Sequence, residues 1–259
     1  MITAASHGLY IAGRHTRALL RQPWYIVASL TQPLIWLLLF GELFRQVATL
    51  PGFPTGNYIA YLAPGVVLMT AMFANSWNGM GLLDDMDSGV LDRFLASPLR
   101  RSAILNGVTI QQTISLTIQA LILLALALAL GARFAGGAVG VVMLLVISVL
   151  LGAGFGGISM ATALTVRQRE SVIGMNQLLV LPGLFLSTGF MPATLLPGWI
   201  ATIARYNPVN WAVVAAQEVL LNASPNWHAV VGRVGLLAVF SIAAVLLGTF
   251  SFRSYQHSI

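Results

Sequence analysis

The sequence predicts an all-α membrane protein: six transmembrane helices, an N-terminal interfacial amphipathic helix, and short external re-entrant or interfacial helices between spans five and six. Three observations carry that expectation. Charge is scarce: the 259 residues hold 13 basic and 7 acidic side chains, 8% of the chain, where a soluble domain carries about 25%. Too little charge remains to solvate a globular surface, which excludes a water-soluble enzyme domain. Long apolar runs recur at 24–44, 59–80, 110–130, 138–164, 172–190 and 234–252. Each approaches or exceeds the roughly 18–20 residues that a helix needs to cross hydrocarbon. The arginines are also distributed unevenly between the two sides of these runs. Backbone groups in lipid must be satisfied within each segment, so runs this long are helices rather than barrel strands. The whole chain, 1–259, is expected to form a single transmembrane domain, with spans at about 24–44, 59–80, 105–130, 138–164, 172–190 and 230–252.

Residues 7–22 form the interfacial helix. Arg14, Arg17 and Arg21 share one face at 100° per residue, and Leu9, Ala12, Leu19 and Leu20 take the other. Such a helix lies apolar side down with its arginines towards anionic headgroups, so membrane lipids are expected partners. Pro23 separates it from span one. The first apolar run starts too late and is too long for the apolar region of a cleaved signal peptide, about 7–15 residues. Glu42 is the only acidic or basic residue inside the six runs. It reads as a snorkelling side chain paired with Arg45 near the outer surface. A cytoplasmic loop over 82–103 follows span two, and a tight turn over 166–171 joins spans four and five. The external segment 191–228 is rich in Pro and Trp and too apolar for a plain aqueous loop. Its stretches 195–203 and 211–221 are too short to span and are broken at Pro197 and at Asn207 with Pro208.

Nine arginines (14, 17, 21, 93, 100, 101, 167, 169 and 253) fall on the side of the termini and four (45, 133, 205 and 233) on the other. Positive charge concentrates in cytoplasmic loops, so both termini are expected in the cytoplasm. The net charge of +6 then belongs to membrane topology and implies no nucleic-acid partner. Arginine without a single lysine also hints at a GC-rich bacterial genome.

Several chemistries are excluded or disfavoured. No cysteine is present, so disulfides, thiolate metal sites and cysteine nucleophiles are absent together. No lysine is present, so the chain has no P-loop of its own. Gly152, Gly154 and Gly157 match the dinucleotide spacing G-x-G-x-x-G but sit inside an apolar run, without the required strand and helix start. Gly152 and Gly156 also make G-x-x-x-G, which favours close helix packing. His7, His15, His228 and His257 lie outside the spans, no H-E-x-x-H occurs, and no carboxylate pair lies in the membrane. An enzyme is not expected, nor a cofactor or metal bound by this chain. Uncharged polar residues in the spans include Gln32, Asn75, Asn78, Gln112, Asn176 and Gln177. Such groups hydrogen-bond between helices more often than they line a path.

The loop after span two is the most informative segment. Asp84, Asp85 and Asp87 cluster just beyond the membrane, followed by Gly89. Val90, Leu91, Phe94 and Leu95 then recur at helical spacing, with Asp92 and Arg93 on the other side, and Pro98 ends the helix. A short amphipathic helix under the membrane needs a groove for its apolar face. Carboxylates are repelled by anionic lipid, so a protein partner suits it better than a bilayer surface.

The pattern D-x-x-x-G-V-L-D-R-F-x-x-S-P-L-R-R-S-A-I-L-x-G, with the external M-P-A-T-L-L-P-G-W and Y-N-P-V-N-W, resembles type-2 ABC exporter permeases over essentially the whole chain. It is nearest to the daunorubicin-resistance-type and Nod-factor-exporter-type subunits. The resemblance implies a permease that pairs with a second permease chain, identical or sister, and binds two copies of an ABC ATPase subunit carrying ATP and Mg. It implies an ATPase-coupling set of Asp84, Asp85, Asp87, Gly89, Leu91, Asp92, Arg93, Arg167, Arg169 and Glu170. It further implies a substrate path and dimer interface containing Gln32, Phe73, Asn75, Trp77, Asn176, Gln177, Leu181 and Phe185. The cargo would be an amphipathic drug, lipid or lipid-linked glycan. An ion-coupled secondary transporter or a non-transport membrane scaffold stand as alternatives; nucleotide dependence separates them.

Overall fold

The computed structural model describes residues 23–89 and 101–256. The interfacial helix expected at 7–22, and Leu91, Asp92 and Arg93 of the loop, lie outside the described residues.

The helices, numbered along the chain, are α1 (Pro23–Ile35), α2 (Tyr58–Ser76), α3 (Asn78–Asp87), α4 (Arg101–Ala129), α5 (Gly137–Val166), α6 (Arg169–Phe185), α7 (Gly198–Ala204), α8 (Pro208–Leu221) and α9 (Trp227–Gln256). No strand occurs among the described residues. Four stretches are long and apolar enough to cross a membrane: Tyr58–Asp87, Gln112–Ala129, Gly137–Val166 and Trp227–Phe252.

The first expected span is helical from Pro23 to Leu43 but irregular, and the fifth is shorter than its apolar run suggested. Pro33 lies inside α1, where it lacks an N–H and crowds the preceding turn. Past it the chain continues as a π-helical turn, Trp36–Phe40, a last helical turn, Gly41–Leu43, and a 3-10 turn, Arg45–Thr49. The α6 helix has 17 residues, so it rises only about 26 Å. It stops at Phe185 rather than at 190. Span two is longer than expected. After a break at Trp77 the helix resumes as α3 and continues to Asp87, so the loop begins near Gly89, not at 82. The reason is packing: Leu83 is buried with Ala163 and Val172, and Met80 and Met86 pack against them. The acidic cluster therefore sits on a helix end.

Helix α5 is the hub, packed against α9, α2, α8 and α3. Its glycines make this possible. A Cβ on Gly157 would stand 2.6 Å from the Ala244 backbone, and one on Gly248 would stand 3.0 Å from the Gly157 carbonyl oxygen. The two helices thus meet backbone to backbone, the close approach that small residues permit. Ser241 Oγ donates to the Leu150 carbonyl at 2.7 Å across the same contact. On another face, Gly152 and Gly156 leave room for the Asn75 and Asn78 side chains. The dinucleotide-like spacing is a packing feature.

Candidate functional site

Two ends of the bundle gather the functional side chains. At the first, the Arg169 guanidinium, on the first residue of α6, reaches two carboxylates on α3. Its Nη2 lies 2.7 Å from Asp84 Oδ1 and 2.7 Å from Asp87 Oδ2. One turn separates the two aspartates, so they share a helix face and meet one cation. All three are largely open to solvent, and exposed pairs of this kind add little to stability. The clamp therefore contributes more to geometry than to folding: it fastens the foot of α3 to the foot of α6 over the Leu83, Ala163 and Val172 cluster. Asp85, Arg167 and Glu170 are exposed beside it. Gly89 ends α3 at φ +66°, a left-handed value that glycine adopts freely. Arg167, at φ +55°, closes the tight turn between α5 and α6.

The break at Trp77 has its own polar support. Met80 N–H bonds the Trp77 carbonyl instead of continuing the α-helical ladder from Ser76. The Ser76 carbonyl accepts from Ser159 Oγ and from Asn176 Nδ2, and Gly79 N–H donates to Ser159 Oγ at 3.1 Å. Asn176 is 7% exposed and turned inward onto this node, where it joins α6 to α2 and α5. Ser159 was not among the expected functional residues; a lone serine in an apolar run gives no signal for it.

The remaining expected path residues divide. Trp77 (48% exposed), Leu181 and Phe185 (51% exposed) face outwards, as do Gln177 and Gln32. Phe185 stands 6.2 Å, ring to ring, from Trp36, which links the open face of α6 to α1. Phe73 is half-buried against the core. Asn75 departs from this group: its amide faces α5, on the side of Asn78 and Gln112.

At the opposite end the chain leaves α6 and turns within the bundle through Leu186–Phe190. Irregular backbone in apolar surroundings needs partners for its polar groups, and each comes from a named side chain. Tyr61 OH donates to the Thr188 carbonyl at 2.6 Å and Tyr58 OH to the Phe190 carbonyl at 2.8 Å. Asn210 Oδ1 accepts from Thr188 N–H at 2.9 Å and from Thr188 Oγ1 at 2.7 Å. Asn207 Nδ2 donates to the Gly183 and Leu186 carbonyls at 2.6 and 2.9 Å, while its Oδ1 caps α8 through Val209 N–H. Pro208, with no N–H to satisfy, opens that helix. The Asn-Pro-x-Asn sequence is thus the device that seats α8 against the end of α6. Tyr58 and Tyr61, which look like aromatics of a membrane edge, are each 2% exposed and serve as internal donors. Helix α8 packs against α2, α5, α6 and α9, with Val213, Ala216 and Leu220 fully buried. Tyr61→Phe is expected to cost about 1–3 kcal/mol by leaving the Thr188 carbonyl unpaired, read as a lowered melting temperature of the detergent-solubilised protein.

Among the described residues, an all-helical apolar bundle with four helices long and apolar enough to cross a bilayer marks an integral membrane protein. The chain belongs to the ABC-2 type transporter family, whose model matches residues 9–221, and is a type-2 ABC permease. It is 29% identical over 244 residues to the daunorubicin resistance ABC transporter permease protein DrrB1 of Streptomyces coeruleorubidus, covering 92% of this chain and 84% of that one. A provisionally named transport permease, ycf38, of Pyropia yezoensis is 30% identical over 210 residues, 80% of this chain and 71% of that one. A doxorubicin resistance ABC transporter permease protein of Mycobacterium tuberculosis, DrrC, also provisionally named, is 23% identical over 220 residues, 84% and 79% of the two chains.

Proposed function

We propose that this chain is the membrane half of an ATP-driven exporter in a bacterial inner membrane. In this reading it crosses the bilayer six times with both termini in the cytoplasm. It pairs with a second permease chain and is powered by two copies of a separate ATPase that holds ATP and Mg. The cargo is an amphipathic drug, lipid or lipid-linked glycan; the drug-resistance names of two relatives favour the first.

The observation that carries this reading is the rod formed by α2 and α3 and its clamp. The stretch Tyr58–Asp87 has 30 residues, a length of about 45 Å against about 30 Å of hydrocarbon. Its acidic end therefore projects beyond the bilayer, directly before the segment 90–100. Arg169 ties that end to the foot of α6, so a displacement of the loop moves α3 and α6 together. The outward-facing Leu181 and Phe185 on α6, with Trp77 at the head of α3, make the surface suited to a second permease chain and a shared path. ATP can drive the cycle only by favouring one arrangement of the permease pair over the other. Docking of the ATPases on the two loops supplies that differential contact. Rocking of α3 with α6 then changes the outer turn at Leu186–Phe190, which α8 and the two tyrosines hold closed.

The absence of cysteine makes the test direct. Ser88→Cys, beside Gly89, is expected to react with an impermeant maleimide only in inside-out vesicles and to crosslink to a co-expressed ATPase. Thr194→Cys is expected to react only in right-side-out vesicles and to form no such crosslink. Labelling of both positions from one side, or no crosslink from position 88, would overturn the reading.

A further inference from the structure

A cleft of about 320 Å³ lies on the flank of the bundle between α4 and α9, floored by α5 and α3. The helices α4 and α9 scarcely touch, and no described residue fills the gap between them. Its walls are apolar or small: Leu116 on α4, Ala153, Gly157 and Met160 on α5, and Val245 and Phe252 on α9. Its volume is at the lower end of ligand-pocket sizes.

One end of the cleft is polar in a specific way. Asn75, Asn78 and Gln112 bring three carboxamides together. Asn78 and Gln112 exchange hydrogen bonds, Nδ2 to Oε1 at 3.3 Å and Nε2 to Oδ1 at 2.5 Å. Asn78 Nδ2 also approaches Asn75 Oδ1 at 3.4 Å, and Asn75 Nδ2 donates to the Ala71 carbonyl at 2.8 Å. Asn75 and Gln112 each keep a second amide N–H for which the described residues supply no acceptor. An unpaired donor facing hydrocarbon is costly, and two neutral donors call for a neutral acceptor rather than an anion. Depth narrows the choice. Asn78, bonded to Gln112, stands only six residues before Asp84, about 9 Å along α3, near the charged end of the stretch Tyr58–Asp87, the level at which the acyl ester carbonyls of a phospholipid meet its hydrocarbon.

We propose that the cleft between α4 and α9 binds one acyl chain of a membrane phospholipid, whose ester carbonyl accepts hydrogen bonds from Asn75 and Gln112. The chain lies along Ala153, Gly157 and Val245, where the small residues of α5 make the floor. The assignment to the inner leaflet rests on the orientation proposed above; occupancy of the cleft does not.

The test uses the full chain in liposomes of plain phosphatidylethanolamine doped with an ester-linked analogue bearing a diazirine on its acyl chain. After irradiation and digestion, adducts are mapped by mass spectrometry. Adducts are expected to concentrate on Leu116, Met160, Val245 and Phe252 about fivefold over the lipid-facing Leu121, Leu247 and Phe250, the ratio that one ordinary hydrogen bond supports. Ala153→Leu, which fills the floor, is expected to remove the cleft adducts and leave the others unchanged. Gln112→Leu is expected to lower the cleft adducts of the ester probe while hardly changing those of an ether-linked probe, which has no carbonyl. Uniform labelling of cleft and outer surface would overturn the proposal. So would an Ala153→Leu protein that melts normally and keeps its cleft adducts, or equal loss of both probes in Gln112→Leu. None of these outcomes depends on an ATPase or on transport.

Discussion

Gly157→Leu is expected to abolish accumulation of the folded protein. The Cβ alone would come within 2.6 Å of the Ala244 backbone and 2.8 Å of Val245 N, and backbone cannot swing aside as a side-chain tip can. Helices α5 and α9 would have to part, which breaks the Ser241 bond to the Leu150 carbonyl and loosens the hub on which α2, α3 and α8 also rest. Overpacking of this kind costs about 3 kcal/mol or more when the contact is backbone on backbone. Gly235→Ala is the control, because a Cβ there meets nothing within 4 Å. The check is the yield of monodisperse protein and its melting temperature in mild detergent. Normal yield and melting for Gly157→Leu would mean that the α5 and α9 contact is looser than described.

Arg169→Glu is expected to reduce nucleotide-driven transport at least about tenfold while changing stability little, since exposed ion pairs are weakened by solvent screening. The substitution places a third carboxylate against Asp84 and Asp87 and drives the feet of α3 and α6 apart. Exchanging Asp87→Arg together with Arg169→Asp keeps two carboxylates facing one guanidinium, so it is expected to restore at least half of the activity. Transport into inside-out vesicles, with membrane content measured in parallel, decides the matter. If the double exchange is as inactive as the single variant, the aspartates act directly on the ATPase and the clamp is incidental.

The helical class and the approximate positions of the helices were legible in the sequence because apolar periodicity and charge scarcity report directly on the solvent around a chain. What escaped was the partner of each polar group. Arg169 lies 82 residues from Asp87, and no local pattern announces that they meet. Length alone misjudged the run at 172–190: its last five residues, Leu186–Phe190, belong to the turn after α6, which only the hydrogen bonds from Tyr58, Tyr61, Asn207 and Asn210 make tenable. Asn75 and Asn176 look alike as amides in apolar runs, yet one faces the flank cleft and the other a buried break in α2. Spacing along one helix cannot tell those apart, because the difference lies in which neighbours α5 and α6 present.

The most direct measurement is to tag the chain in its native membranes, purify it in mild detergent, and identify stoichiometric partners by mass spectrometry. A Walker-motif ATPase in equal copy number is the expected result, because this chain lacks the lysine of a P-loop yet presents a clamped acidic foot for a partner to move. Recovery of the chain without any nucleotide-binding subunit, with the segment around Gly89 open to proteolysis, would contradict it.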